Sequence, residues 1–165
     1  MNHSAVCRYF GRAASLLLLC GVGLFGNAQS IRIKLVNGRN GRPIANTHVN
    51  VWVGTERKDA LAIPTDKDGV ARLYLGEKNA EIDTHSVLNP VVRNSDTIAV
   101  NTGYVLCETR KSDYSWLATR TFATAEVLQH GIVTANSCGK ATASPQAGEI
   151  VIFVRPLTWW EEFKT

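Results

Sequence analysis

The segment 37–75 constrains the fold more than any other part of the chain, because turn residues separate short runs of alternating apolar and polar residues. Asn-Gly pairs at 37–38 and 40–41 tolerate the positive φ angles of tight turns, and Pro43 fixes the backbone where the chain re-enters a strand. The run Asp-Lys-Asp-Gly at 66–69 is a further turn. Strand signals about every ten residues, without long helical patterns between them, indicate an antiparallel β-sandwich.

Alternation with period two predicts four strands in this first half. Ile31–Leu35 places isoleucine and leucine on one face and two basic residues on the other. Thr47–Val53 places three valines on one face, which we expect to be buried. Leu61–Thr65 and Val70–Leu75 are the third and fourth strands.

The second half is predicted to complete the sandwich. Thr97–Asn101 and Tyr104–Thr109 are typical of a hairpin around a Thr-Gly turn, and Glu149–Arg155 has apolar residues on both faces, as a strand covered on two sides requires. Between them lies an insertion, 111–148, in which Thr124–His130 is predicted to be a short helix that stops at Gly131. Its buried contacts are expected to be Phe122, Val127, Leu128 and Ile132.

Residues 1–28 have the layout of a secretory signal peptide: a basic start, an apolar run from 13 to 25, and Gly-Asn-Ala at the end. The run is shorter than the roughly 20 residues that span a bilayer, so we expect cleavage near Ala28, a periplasmic or secreted protein and no transmembrane anchor. A lipid anchor at Cys20 is disfavoured because the preceding residue, Leu19, is not small.

The basic charge carries little information about partners. Two of the 18 basic residues, Arg8 and Arg12, leave with the signal peptide, which lowers the formal net charge of +4 by two. The other basic residues are scattered, whereas a nucleic-acid surface needs them clustered. We therefore expect no nucleic-acid partner.

Two cysteines remain after residue 28, Cys107 and Cys138. In an oxidising compartment such a pair predicts a disulfide bond, here one that ties the insertion to the sheet. A redox or nucleophilic role would need a C-x-x-C spacing or a neighbouring base, and neither is visible.

The turn and strand pattern of 31–75 resembles the carboxypeptidase regulatory-like domain. The residues that carry the resemblance are Gly41, Pro43 and Ile44, then Val49 and Val51, then Thr65, Asp66 and Gly69. The resemblance implies a mainly β domain over 29–156, a seven-stranded Greek-key β-sandwich of the transthyretin-like (prealbumin-like) or Ig-like kind, with the short helix in the insertion before the last strand. Thr47 and Ala71 depart from the family pattern without preventing strands. The peptidase activity in the family name belongs to a separate zinc domain, for which this chain has no room.

The tail 157–165 contains three large aromatic residues: Trp159, Trp160 and Phe163. They either fold back onto the sandwich or form an exposed patch for a partner, because aromatic side chains dominate interface hot spots. A stacking surface for carbohydrate is a further alternative.

No catalytic or metal-binding arrangement stands out, so we expect neither a cofactor nor a metal ion. The histidines at 48, 85 and 130 lack the spacing of a zinc site. Asp83, His85 and Ser86 lie too close along an extended chain for triad geometry. The leading hypothesis is a non-catalytic module for binding or structural support, with an envelope protein as partner and carbohydrate second. The alternative is a small hydrolase with a site assembled from residues such as His48, His85 and Asp83.

Overall fold

The computed structural model of the chain describes residues 29–54, 60–76, 91–93, 95–108 and 119–159. These residues form two β-sheets that pack face to face, with one short helix beside them. The prediction of a mainly β sandwich is therefore confirmed. The elements in chain order are β1 (Gln29–Asn37), β2 (His48–Val53), β3 (Leu61–Pro64), β4 (Val70–Gly76), β5 (Val91–Arg93), β6 (Thr97–Asn101), β7 (Val105–Leu106), β8 (Arg120–Ala123), α1 (Thr124–His130), β9 (Ile132–Val133) and β10 (Glu149–Arg155).

The first sheet has the strand order β5-β4-β1-β10, and β9 and β7 both lie along the far edge of β10. β9 pairs with the beginning of β10 and β7 with its end. The second sheet has the order β3-β2-β6-β8. β1 and β10 are thus the central strands of the first sheet, which explains why β10 is apolar on both faces.

The first sheet is mixed, so the prediction of an entirely antiparallel sandwich is not confirmed. β10 is parallel to β1, with Ile33 opposite Ile150, and the pairs β9–β10 and β4–β5 are parallel as well. Only strands joined by a short turn are forced to be antiparallel. More than a hundred residues separate β1 from β10, so no turn sets their direction.

The predicted hairpin around Thr102-Gly103 is wrong, because β6 belongs to the second sheet and β7 to the first. Gly103 has φ 67°, and its amide donates a hydrogen bond of 3.1 Å to Asn101 Oδ1. Thr102 is buried at this corner. The Thr-Gly pair therefore carries the chain from one sheet to the other.

The main core fills the space between the sheets and contains the residues that strand alternation placed inward. Residues 31, 33 and 35 of β1, and 49 and 51 of β2, are all fully buried. β10 contributes Ile150, Ile152 and Val154. On the outer face of the first sheet, alternation leaves the side chains of residues 32, 34 and 36 of β1 beside those of 149, 151 and 153 of β10.

The predicted insertion contributes strands to both sheets. The helix spans Thr124–His130 as predicted and ends at Gly131, which has φ 70°. Before it, β8 forms an edge of the second sheet, and after it β9 pairs with β10. Phe122 and Val127 are buried in the main core, while Leu128 and Ile132 pack against it partly buried. The helix therefore covers one side of the sandwich.

Candidate functional site

Residues 134–148, which we call the strap, run from β9 to β10 across the outer face of the first sheet. The predicted disulfide between Cys107 and Cys138 is present, with Cα atoms 5.3 Å apart, and ties the strap to the residue that follows β7. Under the strap lies a second, smaller apolar core. It contains Val36, Cys107, Val151 and Phe153, with Val133, Cys138 and Ala141 packed against them.

Hydrogen bonds hold the strap on both sides of the disulfide. Asn136 Nδ2 donates to the carbonyl oxygens of Gly38 at 2.9 Å and Ala141 at 2.8 Å. The backbone amide and the hydroxyl of Ser137 both donate to the Cys107 carbonyl. These hydrogen bonds are part-buried, and lifting this part of the strap would break them together with the disulfide. The strap is therefore a fixed part of the fold.

Two glycines allow the strap to approach the β1 turn closely. A Cβ atom at Gly139 would overlap the carbonyl oxygen of Gly38, and one at Gly38 would overlap the side chains of Asn136 and Cys107. Glycine is required at both positions, because a Cβ would meet backbone atoms at Gly139 and packed side chains at Gly38.

A cleft of about 490 Å³ opens between the outer face of the first sheet and strap residues 142–146. Its floor contains Lys34, Val36 and Val151 of the sheet, and Asp68 from the turn before β4 lines it as well. The strap contributes small and polar side chains: Thr142, Ala143, Ser144 and Gln146. A second cavity of about 280 Å³ lies on the other side of residues 142 and 143 and reaches Phe153.

The cleft contains charges of both signs that the described residues only partly neutralise. Glu149 lies at the start of β10 with a side chain that is 10% exposed, and its carboxylate is 3.9 Å from the Arg32 guanidinium. Arg32 in turn donates a hydrogen bond of 3.2 Å to Gln146 Oε1 on the strap. Among the described residues, neither the Lys34 ammonium nor the Asp68 carboxylate takes part in an ion pair.

Of the three aromatic residues proposed for binding, only Trp159 lies in the described part of the chain, since Trp160 and Phe163 fall outside it. The Trp159 side chain is 59% exposed, and it is the large hydrophobic residue that stands out as exposed among the described residues. Its exposure is compatible with a surface available to a partner.

Of the three residues named for the hydrolase alternative, His48 alone lies in the described part of the chain. His48 is exposed at the start of β2, and His130 is exposed at the end of α1. His85 and Asp83 lie outside the described residues. Within the described ranges, no group of three or more His, Cys, Asp or Glu side chains is placed to hold a metal ion.

The signal peptide and Cys20 lie in residues 1–28, outside the described part of the chain. Within the described part, no helix combines the length and the apolar character needed to cross a membrane.

Sequence reasoning missed the cleft. Lys34, Asp68 and Glu149 come from three distant parts of the chain, and the parallel pairing of β1 with β10 brings the first and third together. One signal was available. Glu149 is a charged residue that begins a strand whose next five residues are apolar, shortly after the segment 142–146.

Comparisons with protein-family models, with curated proteins and with solved structures found no match to this chain.

Proposed function

We propose that this protein is a non-catalytic binding module that works outside the cytoplasm and docks a protein partner through its aromatic tail, residues 157–165. The observation that carries the proposal is the 59% exposure of Trp159. A ring with this exposure keeps apolar surface that a partner would bury, and aromatic rings are typical anchors of protein interfaces. Trp160 and Phe163 follow Trp159 closely in the sequence.

A location in an oxidising compartment is supported by the Cys107–Cys138 disulfide, since such bonds are rare in reducing compartments. The signal-peptide layout of residues 1–28 supports the same location. β1 begins at Gln29, so cleavage after Ala28 would remove no residue of the sheet.

The family we propose is the carboxypeptidase regulatory-like domain, with a seven-stranded, transthyretin-like Greek-key core. Two sets of strands support this: β4-β1-β10 in the first sheet and β3-β2-β6-β8 in the second. In this interpretation the short strands β5, β7 and β9 are additions to the core. The Asp66–Gly69 turn supports it as well, because Asp66 Oδ1 accepts hydrogen bonds from the amides of Asp68 and Val70.

Affinity capture from the native envelope fraction tests the docking proposal. The tagged full chain is compared with the double variant Trp159→Ala/Trp160→Ala and with Trp159→Phe/Trp160→Phe, which keeps aromatic surface. We expect the alanine variant to lose a specific protein that the phenylalanine variant retains. The melting temperature of the alanine variant should equal that of the wild type, because exposed side chains contribute little to stability.

Two results would contradict the proposal. A large fall in melting temperature for the alanine variant would show that the rings pack on the sandwich. Capture of the same proteins by all three chains would show that the tail is not the docking surface. Parallel capture on immobilised polysaccharides tests the carbohydrate alternative, which predicts retention of the wild type and loss of the alanine variant.

A further inference from the structure

We propose that the cleft beneath the strap binds a dipeptide or tripeptide whose amino and carboxyl termini are both free. This site is separate from the aromatic tail and does not depend on the partner proposed to dock there. Four features support it: the fixed wall, the Glu149 carboxylate, the Lys34 cation and the separation of these two residues.

The cleft is preformed. The disulfide and the hydrogen bonds of Asn136 hold the middle of the strap. Its end is held where the amide of Gly148 donates to Val127 at 2.8 Å and that of Glu149 to Gln146 at 2.9 Å. Pre-formed concave sites of roughly 300–1,000 Å³ with a few convergent polar groups are typical of small-ligand binding.

Glu149 is the strongest indication of a ligand. Its side chain is nine-tenths buried, yet among the described residues its carboxylate accepts no hydrogen bond from a side chain or backbone amide. The guanidinium of Arg32, at 3.9 Å, is too far for a hydrogen bond. The carboxylate oxygens still reach solvent, since among the described residues the Thr124 hydroxyl is the buried side-chain group that lacks a hydrogen-bond partner. A ligand ammonium in the cleft would add to the Arg32 ion pair the hydrogen bond that the carboxylate lacks.

Lys34 supplies the opposite charge. It lies on the same outer face of the first sheet as Glu149 and lines the same cleft. Among the described residues it is not in an ion pair. An ammonium in a cleft suits a ligand carboxylate.

The separation of the two residues suits a short peptide. Lys34 is opposite Val151 in the parallel pairing, so it is two residues further along than Glu149 on the neighbouring strand. A rise of about 3.3 Å per residue and a strand spacing of about 4.8 Å place the two Cα atoms roughly 8 Å apart. An extended peptide spans at most about 3.3–3.6 Å per residue, so a ligand of two or three residues has a length that matches this separation.

Other ligands fit less well. A phosphorylated ligand would meet two carboxylates, Asp68 and Glu149, for one lysine. A sugar would find no aromatic ring to stack on among the described residues that line the cleft. The apolar floor formed by Val36 and Val151, with Thr142 and Ser144 above it, suits a short peptide with small side chains.

Isothermal titration calorimetry of the full chain with dialanine and trialanine tests the proposal, with N-acetylated and C-amidated forms as matched probes. We expect binding of the free peptides and a loss of affinity of about tenfold or more when either terminus is blocked, because a hydrogen bond between charged groups is lost. Lys34→Met should abolish the preference for a free carboxylate over the amide. Glu149→Gln should abolish the preference for a free amine over the acetyl form.

Lys67→Met and Glu126→Gln are the control variants, since Lys67 lies in the turn beside Asp68 without lining the cleft and Glu126 is exposed on α1. Both should bind like the wild type. Trp159→Ala should do so too, which separates this site from the docking proposal. Thermal melting checks that each variant folds. If Glu149→Gln does not fold, Lys34→Met still tests the site, because Lys34 is only half-buried.

The proposal is overturned if millimolar free peptides give no binding heat, or if Lys34→Met weakens the free and amidated peptides equally. A third result would overturn the proposal as well: wild type binds maltose, and the Lys34 and Glu149 variants lose affinity for maltose. That result would assign the cleft to a sugar.

Discussion

Removal of the disulfide by the double substitution Cys107→Ala/Cys138→Ala is expected to lower the free energy of unfolding by about 3 to 4 kcal/mol. The two cysteines are 31 positions apart, and a loop of this size gives about 3.7 kcal/mol in the loop-entropy estimate. Cys107 is fully buried, so its truncation also removes packing contacts in the second core. Because whole domains are stable by only about 5–15 kcal/mol, this is a large share.

The loss of stability in the double variant is expected to show first as local opening of the strap. Without the covalent tie, the hydrogen bonds of Asn136 and Ser137 are the main contacts that keep the strap on the sheet. Its release would expose Phe153 and Val151, which are almost completely buried in the intact protein. We therefore expect faster amide hydrogen exchange in 134–148 than in β1 or β4.

Urea unfolding measured by tryptophan fluorescence gives the stability, and hydrogen exchange read by mass spectrometry gives the local effect. Wild type in a reducing agent should lose most of the same stability but less than the double variant, because it keeps the Cys107 side chain in the second core. The reducing agent should leave the double variant unchanged. A stability loss below about 1 kcal/mol would refute the reasoning, since it would mean that the disulfide constrains the unfolded chain far less than its loop size requires.

Three further positions, two of them with a control substitution, test the packing by urea unfolding. Gly131→Ala should destabilise the domain by several kcal/mol, because the new Cβ would overlap Gln146 on the strap. Gly103 has a similar φ but open space around it, so Gly103→Ala should cost only about 1 kcal/mol. Equal losses of stability in the two variants would contradict this interpretation. Thr124→Val should stabilise the domain by about 1 kcal/mol, since the Thr124 hydroxyl is buried without a hydrogen bond among the described residues, while Thr124→Ser should give no gain. Ile33→Ala should cost about 2–5 kcal/mol because Ile33 is fully buried between the sheets, and a loss under about 1 kcal/mol would show that the core does not depend on it.

The elements that local patterns encode were predictable from the sequence. Alternation located β1, β2 and β4 to within a few residues, and the helix and β10 were predicted with their observed bounds. These segments have a strong period or an unambiguous stop residue such as Gly131. The disulfide was predictable as well, because only two cysteines remain after residue 28.

Pairing between distant strands was not predictable in the same way. The direction of β10 relative to β1 is set by packing, since no turn joins them, and the Thr102-Gly103 corner has the same residue types as a hairpin turn. β9 has only two residues, too few to show a period. The cleft escaped prediction for the same reason, because Lys34, Asp68 and Glu149 meet only after the sheet has formed.

Site-specific photo-crosslinking at position 159 tests the central proposal most directly. Replacing Trp159 with a benzophenone-bearing phenylalanine keeps an aromatic side chain at the exposed position, and the same substitution at Gln129, exposed on α1, is the control. After irradiation in the native compartment, a binding module that docks through its tail should give a discrete crosslink to one protein from position 159 and none from position 129. Crosslinks only within the chain itself, or the same products from both positions, would contradict it.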